Sequence, residues 1–250
     1  MLLTPEKLAR LIDISAVRAQ HGEREILEMV ARAKEYRFVA VHVLPSWVSF
    51  LKTQLGGERD ILVGAPVGFP SGGHTTATKV AEAKALIAEG VQELDMMLNV
   101  GRLRSGHDEY VARDIRAVVE AAGDLPVKVI LEVHYLTPDE IKRACELAIG
   151  ARAAFVKTST GWAPSGATLE TVRLITSFVG SAIKVKAAGS IRDLGTVVEM
   201  LGMGVARFGI NLDASIAILG ECKARAGGVE VPDPEGQVGG TRARRPKTVA

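Results

Sequence analysis

Cysteine is scarce in this chain: Cys145 and Cys222 are the only two in 250 residues. Two are too few for a disulfide framework, and neither stands in a Cys-x-x-Cys or Cys/His spacing suited to a metal. A reducing compartment fits best, which makes the cytoplasm the expected location. The chain also has no apolar run of signal-peptide or membrane-spanning length, since the opening MLLTPEKLARLID carries charge by its sixth residue. An excess of one charge is missing too. Lysine and arginine number 31 against 29 acids, and four of the basic residues, Arg242, Arg244, Arg245 and Lys247, fall in the last ten positions without an acid, leaving the body at −2. That balance offers no basic face for nucleic acid, and the terminal cations read as a solvated tail. With 47% hydrophobic and 24% charged residues, the composition is that of a soluble globular chain with neither nucleic-acid nor membrane partners.

No linker, repeat or low-complexity block interrupts the first 225 residues or so. The expected organisation is a single domain over residues 1–226, followed by a Gly/Pro-rich basic tail over 227–250. Within the domain, eight short apolar runs recur: 11–15, 38–43, 61–67, 93–99, 127–133, 153–159, 182–188 and 206–211. Most are nearly continuous in apolar residues, as strands buried on both faces must be. Helical stretches separate them, among them EREILEMVARAKEY, DEYVARDIRAVVEAAG and TPDEIKRACELAIG. Thr137-Pro138-Asp139-Glu140 reads as an N-cap, a proline at the first helical position and acids in the first turn. Gly90, Gly123, Gly150 and Gly180 read as helix ends. Eight strand–helix units in this length predict an α/β fold, a (β/α)8 TIM barrel. A doubly wound sheet would more often start with a Gly-rich phosphate turn after the first strand, and none follows LIDIS.

A barrel keeps its active site at the C-terminal ends of its strands. Polar residues late in the runs include Asp13 and Ser15, His42, Asp95 and Asn99, Glu132 and His134, Lys157 with Thr158, Lys186 and Asn211. A lysine inside an apolar strand is costly, and AAFVKTS and AIKVKAA place Lys157 and Lys186 on neighbouring strands. Burial and a second nearby cation both disfavour the ammonium form. One of the pair can thus be held neutral, the state that attacks a carbonyl to form a Schiff base. Asp95 has Glu93 two positions earlier on the same face. Either acid can pair with a lysine while the other moves protons, and spacing does not separate these roles. His42 can be a substrate contact or a satisfied barrel histidine, and the second reading is favoured since nothing supplies a metal triad; His134 likewise reads as structural.

The segments GFPSGGHTTATKVAEAKALIAEGVQELDMMLNVGRLRSGHDEYVARDI, VKVILEVHYLTPDEIKRACELAIGARAAFVKTSTGW and IKVKAAGSIRD closely resemble the deoxyribose-phosphate aldolases. The likeness runs in order over roughly residues 8–225, and the Phe-Val-Lys-Thr-Ser-Thr-Gly run is its most specific part. The resemblance implies that Lys157 is the Schiff-base lysine, that Lys186 depresses its pKa, and that Asp95 takes part in a proton relay. It further implies reversible cleavage of 2-deoxy-D-ribose 5-phosphate to D-glyceraldehyde 3-phosphate and acetaldehyde, with neither metal nor organic cofactor, in an enzyme that is commonly a homodimer. Asp13, Ser15 and Thr158 are the expected substrate-binding residues, with Gly161, Gly189, Ser190, Gly209 and Asn211 at the phosphate.

The sequence departs from this family in two places. His42-Val43-Leu44-Pro45 stands where the family commonly has Cys-Val-Asn/Tyr-Pro. After the last strand, Gly209-Ile210-Asn211-Leu212-Asp213 replaces a Gly-x-Ser-Ser turn, removing two hydroxyls and adding a carboxylate near the expected dianion. Weakened phosphate binding is therefore expected. Two further readings stay open: the same chemistry on a different or non-phosphorylated aldehyde or sugar, and a non-catalytic barrel that only binds a small molecule.

Overall fold

In a computed structural model that describes residues 1–225 and 227–232, the eight expected strands close into one parallel barrel. Ten strands are present among the described residues: β1 (Leu2–Leu3), β2 (Ile12–Ala16), β3 (Ala40–Val43), β4 (Leu62–Val67), β5 (Glu93–Met97), β6 (Val127–Ile130), β7 (Phe155–Lys157), β8 (Lys184–Ala188), β9 (Arg207–Gly209) and β10 (Val229–Glu230). β2 through β9 form the barrel in chain order, and β9 pairs back to β2 through Ile12 with Phe208 and Asp13 with Gly209. The runs read from sequence overshoot the strands by one to three residues at one end or both; where they do so at the C-terminal end, the chain enters the loops that line the mouth.

Helices cover the barrel because each carries one apolar stripe. On the helix Glu23–Tyr36 the buried residues are Ile26, Met29, Val30 and Ala33, and on Pro138–Gly150 they are Ile141, Ala144, Cys145 and Ala148. These spacings of three and four place every buried side chain on the face towards the strands. The Thr137 capping box forms as expected, its hydroxyl accepting from the Glu140 amide while the Glu140 carboxylate accepts from that of Thr137. Gly123 and Gly180 are helix C-caps, whereas Gly150 remains helical and the left-handed position falls on Arg152 at φ 61°. One polar pair is buried outside the barrel, between two helices. Lys79 and Asp114 lie 2.6 Å apart, and the Lys79 ammonium also donates to the Met97 carbonyl at the end of β5.

The expected domain boundary at residue 226 falls short. β10 pairs antiparallel with β1, Met1 and Val231 are hydrogen-bonded, and Val231 is buried, so the folded body reaches the end of the described residues at Pro232. An apolar Val-Glu-Val triplet beside a free strand edge explains this. The rest of the expected tail, with its four basic residues, lies outside the described residues. Among the described residues, no helix is long and apolar enough to cross a membrane.

Candidate active site

The barrel interior is charged at its centre. The side-chain period of two that puts Glu93 and Asp95 on one face of β5 aims both carboxylates inward, where they meet groups from five other strands. Asp95 Oδ2 lies 2.7 Å from Lys157 Nζ and 2.8 Å from Lys186 Nζ, and its Oδ1 lies 3.0 Å from Lys128 Nζ. Glu93 contacts Lys128 at 2.8 Å and Arg207 at 2.9 Å; Asp13 contacts Lys186 at 2.5 Å and Arg207 at 3.2 Å. Lys157 and Lys186 are register partners on β7 and β8, so the two lysines stand side by side as expected.

This array holds four formal cations and three carboxylates, and becomes electroneutral when one cation gives up its proton. The geometry selects Lys157. Lys128 and Lys186 each contact two carboxylates and are almost fully buried, and Arg207 bridges Asp13 and Glu93. Lys157 has one carboxylate, and its side chain, 12% exposed, is the most accessible of the three lysines. Burial, assisted by the Lys186 and Lys128 ammonium groups, lowers its pKa against the pull of Asp95. For Lys186 burial also opposes the charge, but Asp13, Asp95 and Glu93 outweigh it and hold the ammonium above the ordinary lysine range. Burial works against ionised Asp95 as well, yet Lys128, Lys157 and Lys186 together keep it well below the usual carboxylate range. A neutral amine beside a held ammonium and a held carboxylate is an arrangement for attacking a carbonyl.

His42 is buried in the same array, with Nε2 3.3 Å from Glu93 and 3.4 Å from Asp95, and burial depresses its pKa so that it adds no charge. It fits only because its neighbour across β3 and β4 is Gly64, where a Cβ would lie 2.2 Å from Nε2. Asp13, His42 and Glu93 could each offer one atom to a metal ion. Lys186, Lys128 and Arg207 already match those carboxylates, so a divalent cation would have to displace them.

Above the array, at the C-terminal ends of the strands, opens a cavity of about 140 Å³. Lys157, Lys186, Asp95, Asp13 and Ser15 line it, as do all five residues expected at the phosphate. Thr158 does not. Following Lys157 by one residue, it points away from the barrel axis, and its buried hydroxyl donates to the Ala188 carbonyl and accepts from the Ala188 amide, both at 2.8 Å. It clamps β7 to β8 and is corrected from a substrate contact to a structural one. Asp13 reaches the cavity, but its carboxylate is committed to Lys186 and Arg207. His134 lies outside the site, exposed, with Nδ1 2.6 Å from Ser165 Oγ.

Asp213 is exposed in the first turn of the helix Leu212–Lys223 and does not line the cavity. Asn211 Oδ1 is the N-cap of that helix, accepting from Ala214, and Ser190 Oγ accepts from Gly166. The amides of Gly161, Gly189, Ser190 and Asn211 donate to no other backbone group among the described residues. Gly161 and Gly189 both have positive φ, which turns their amides without side-chain strain. Sequence reasoning missed several residues here. Lys128 and Arg207 carried the same mark as the other lysines, a cation inside an apolar strand, whereas Arg18 and Arg192, which line the cavity, stand in loops without periodicity.

Residues 13–207 match the profile of the DeoC/LacD family aldolases. A curated deoxyribose-phosphate aldolase of Sinorhizobium medicae is 51% identical over 225 residues, covering 90% of this chain and 91% of the relative. That of Klebsiella pneumoniae is 48% identical over 220 residues, covering 87% and 88%. Among solved structures, the aldolase QR15 superposes with a TM-score of 0.80 at 38% identity, over 86% of this chain and 95% of that one. The tetrameric deoxyribose phosphate aldolase of Aeropyrum pernix superposes at 0.78 with 28% identity, over 88% and 93%.

Proposed function

The chain belongs to the DeoC/LacD family of aldolases, and on that footing we propose how its residues divide the work of cleaving 2-deoxy-D-ribose 5-phosphate. Neutral Lys157 attacks the C1 aldehyde of the open-chain sugar, and the carbinolamine takes up one proton from solvent as it loses water, leaving a protonated imine. A water seated in the cavity against the Asp95–Lys186 pair takes the proton of the C3 hydroxyl. The C2–C3 bond then breaks, its electron pair passing into the enamine while D-glyceraldehyde 3-phosphate departs. Protonation of the enamine at C2 and hydrolysis release acetaldehyde and return the free amine. Each step is reversible, so the same groups form the bond in the other direction.

The observation that carries this reading is the odd cation: four positive groups share three carboxylates, and Lys157 is the one with a single partner and access to the cavity. When the imine forms, the positive charge on nitrogen has Asp95, 2.7 Å from Lys157 Nζ, as its counter-charge. The phosphate end is formed by the amides of Gly161, Gly189, Ser190 and Asn211 with the Arg192 guanidinium, and Ser15 faces the sugar. This assignment stands against the expectation of a weak phosphate site, and the preference for the phosphorylated sugar decides between them. The protein acts in the cytoplasm as a homodimer, which sedimentation analysis tests. The functional test is a coupled retro-aldol assay on 2-deoxyribose 5-phosphate. Activity in the wild type and its loss in Lys157→Ala are expected. An active Lys157→Ala enzyme would refute the assignment.

A further inference from the structure

We infer that Arg18 is a specificity-determining residue for the substrate phosphate, a guanidinium fixed over the mouth of the cavity by Trp162 before any ligand arrives. This rests on the phosphate reading above and adds to it a side chain from the opposite wall. Arg18 belongs to the loop after β2, Trp162 to the loop after β7, and the two loops are joined at two points. Arg18 Nη2 donates to the Gly161 carbonyl at 2.6 Å, and Trp162 Nε1 donates to the Val17 carbonyl at 3.1 Å. The guanidinium carbon also stands 5.9 Å from the centre of the indole ring, which is itself braced edge-on by Phe69 at 5.8 Å.

Three features make this more than a surface arginine. First, Arg18 lines the same cavity as Lys157 and the phosphate-end amides. A Cβ on Gly189 would lie 3.8 Å from Gly161 Cα, so the carbonyl that Arg18 grips belongs to a residue in contact with the amide cluster. Second, Arg18 has no carboxylate partner among the described residues, so its charge is left for a ligand. Third, a single N–H holds it to Gly161, while the other four side-chain N–H groups have no acceptor among the described residues. A planar fork with spare donors suits the oxygens of a phosphate. Its ordering by the indole ring and the Gly161 carbonyl lowers the entropy lost when the ligand binds.

The test compares wild type, Arg18→Gln and Arg18→Lys on 2-deoxyribose 5-phosphate and on 2-deoxyribose, with inorganic phosphate as an inhibitor of 2-deoxyribose cleavage. The expected result is a fall of about tenfold to a hundredfold in the preference for the phosphorylated sugar in Arg18→Gln, carried mainly by KM, with partial recovery in Arg18→Lys. Inhibition by inorganic phosphate should weaken in parallel. If both sugars lose activity equally in Arg18→Gln, Arg18 only latches the loops and the inference is overturned. A wild type that prefers the phosphorylated sugar while Arg18→Gln keeps that preference overturns the inference alone. A wild type with no preference overturns the phosphate reading as well. Should Arg18→Gln misfold, Trp162→Phe, which keeps a ring but loses the Val17 bond, is expected to lower the preference in the same direction, and an unchanged preference counts against the inference.

Discussion

Replacing Lys186 with leucine should move the pH dependence of the enzyme, and the structure sets the size of the effect. Lys186 Nζ and Lys157 Nζ contact the same Asp95 oxygen at 2.8 and 2.7 Å, so the two nitrogens are at most about 5.5 Å apart. At an effective dielectric constant of about 20, two unit charges at that distance repel by about 3 kcal/mol. Asp95, shared among three lysines, and local relaxation absorb part of this. What remains is a rise of about 1–2 units in the Lys157 pKa, each unit being worth about 1.4 kcal/mol. The sign follows from the charge count as well, because removing one cation leaves three against three carboxylates and a protonated Lys157 then balances the interior. Only the neutral amine attacks, so the acidic limb of the kcat/KM profile should shift to higher pH by the same 1–2 units or so. On that limb the rate should fall about tenfold to a hundredfold, and it should recover in part as the pH is raised. Lys186→Arg, which keeps the charge, should leave the limb in place. The assay is a pH–rate profile of 2-deoxyribose 5-phosphate cleavage from about pH 5 to about 10, below the ordinary lysine range. A Lys186→Leu enzyme whose activity drops equally at every pH, with the limb unmoved, would refute electrostatic tuning and leave Lys186 as a proton-transfer or structural group only.

Three other changes probe the frame around the site. Gly64→Ala drives a methyl group into the His42 ring and should destabilise the fold by about 1–3 kcal/mol in urea titrations, with most of the loss recovered when His42→Ser is added. Lys79→Met leaves Asp114 as an unpaired buried carboxylate between two helices, which should cost about 3–5 kcal/mol; the double change with Asp114→Leu should restore much of it. Thr158→Val removes the hydroxyl that bridges β7 and β8, so thermal and chemical stability should drop by about 1–3 kcal/mol. Because Thr158 does not reach the cavity, KM should hardly change, and a large rise in KM would restore it as a substrate contact.

The barrel was readable from the sequence because eight buried parallel strands leave eight apolar runs, and because helix caps such as Thr137 act through near neighbours in the chain. Lys157, Lys186 and Asp95 were readable for a related reason, since charge inside an apolar run is conspicuous whatever the fold. Lys128 and Arg207 carried the same mark, and their importance emerges only when the barrel is closed and the charges on its inner face can be counted. Thr158 was placed on the wrong face although the alternation along β7 already separates it from Lys157. For Asp213 a sequence gives the distance from Gly209 but not the direction in which a helix start projects. The clasp of Arg18 on Gly161 joins loops 143 residues apart, and no local pattern announces such a contact.

The account turns on Lys157 being the one amine that forms the imine. Borohydride reduction in the presence of acetaldehyde, followed by peptide mass mapping, tests this directly. The expected result is a single two-carbon adduct on the peptide containing Lys157, absent from Lys157→Ala, with the Lys186 and Lys128 peptides unmodified because both ammonium groups are buried and each is held by two carboxylates. An adduct on Lys186 or Lys128 in the wild type, or no adduct under conditions of turnover, would contradict it.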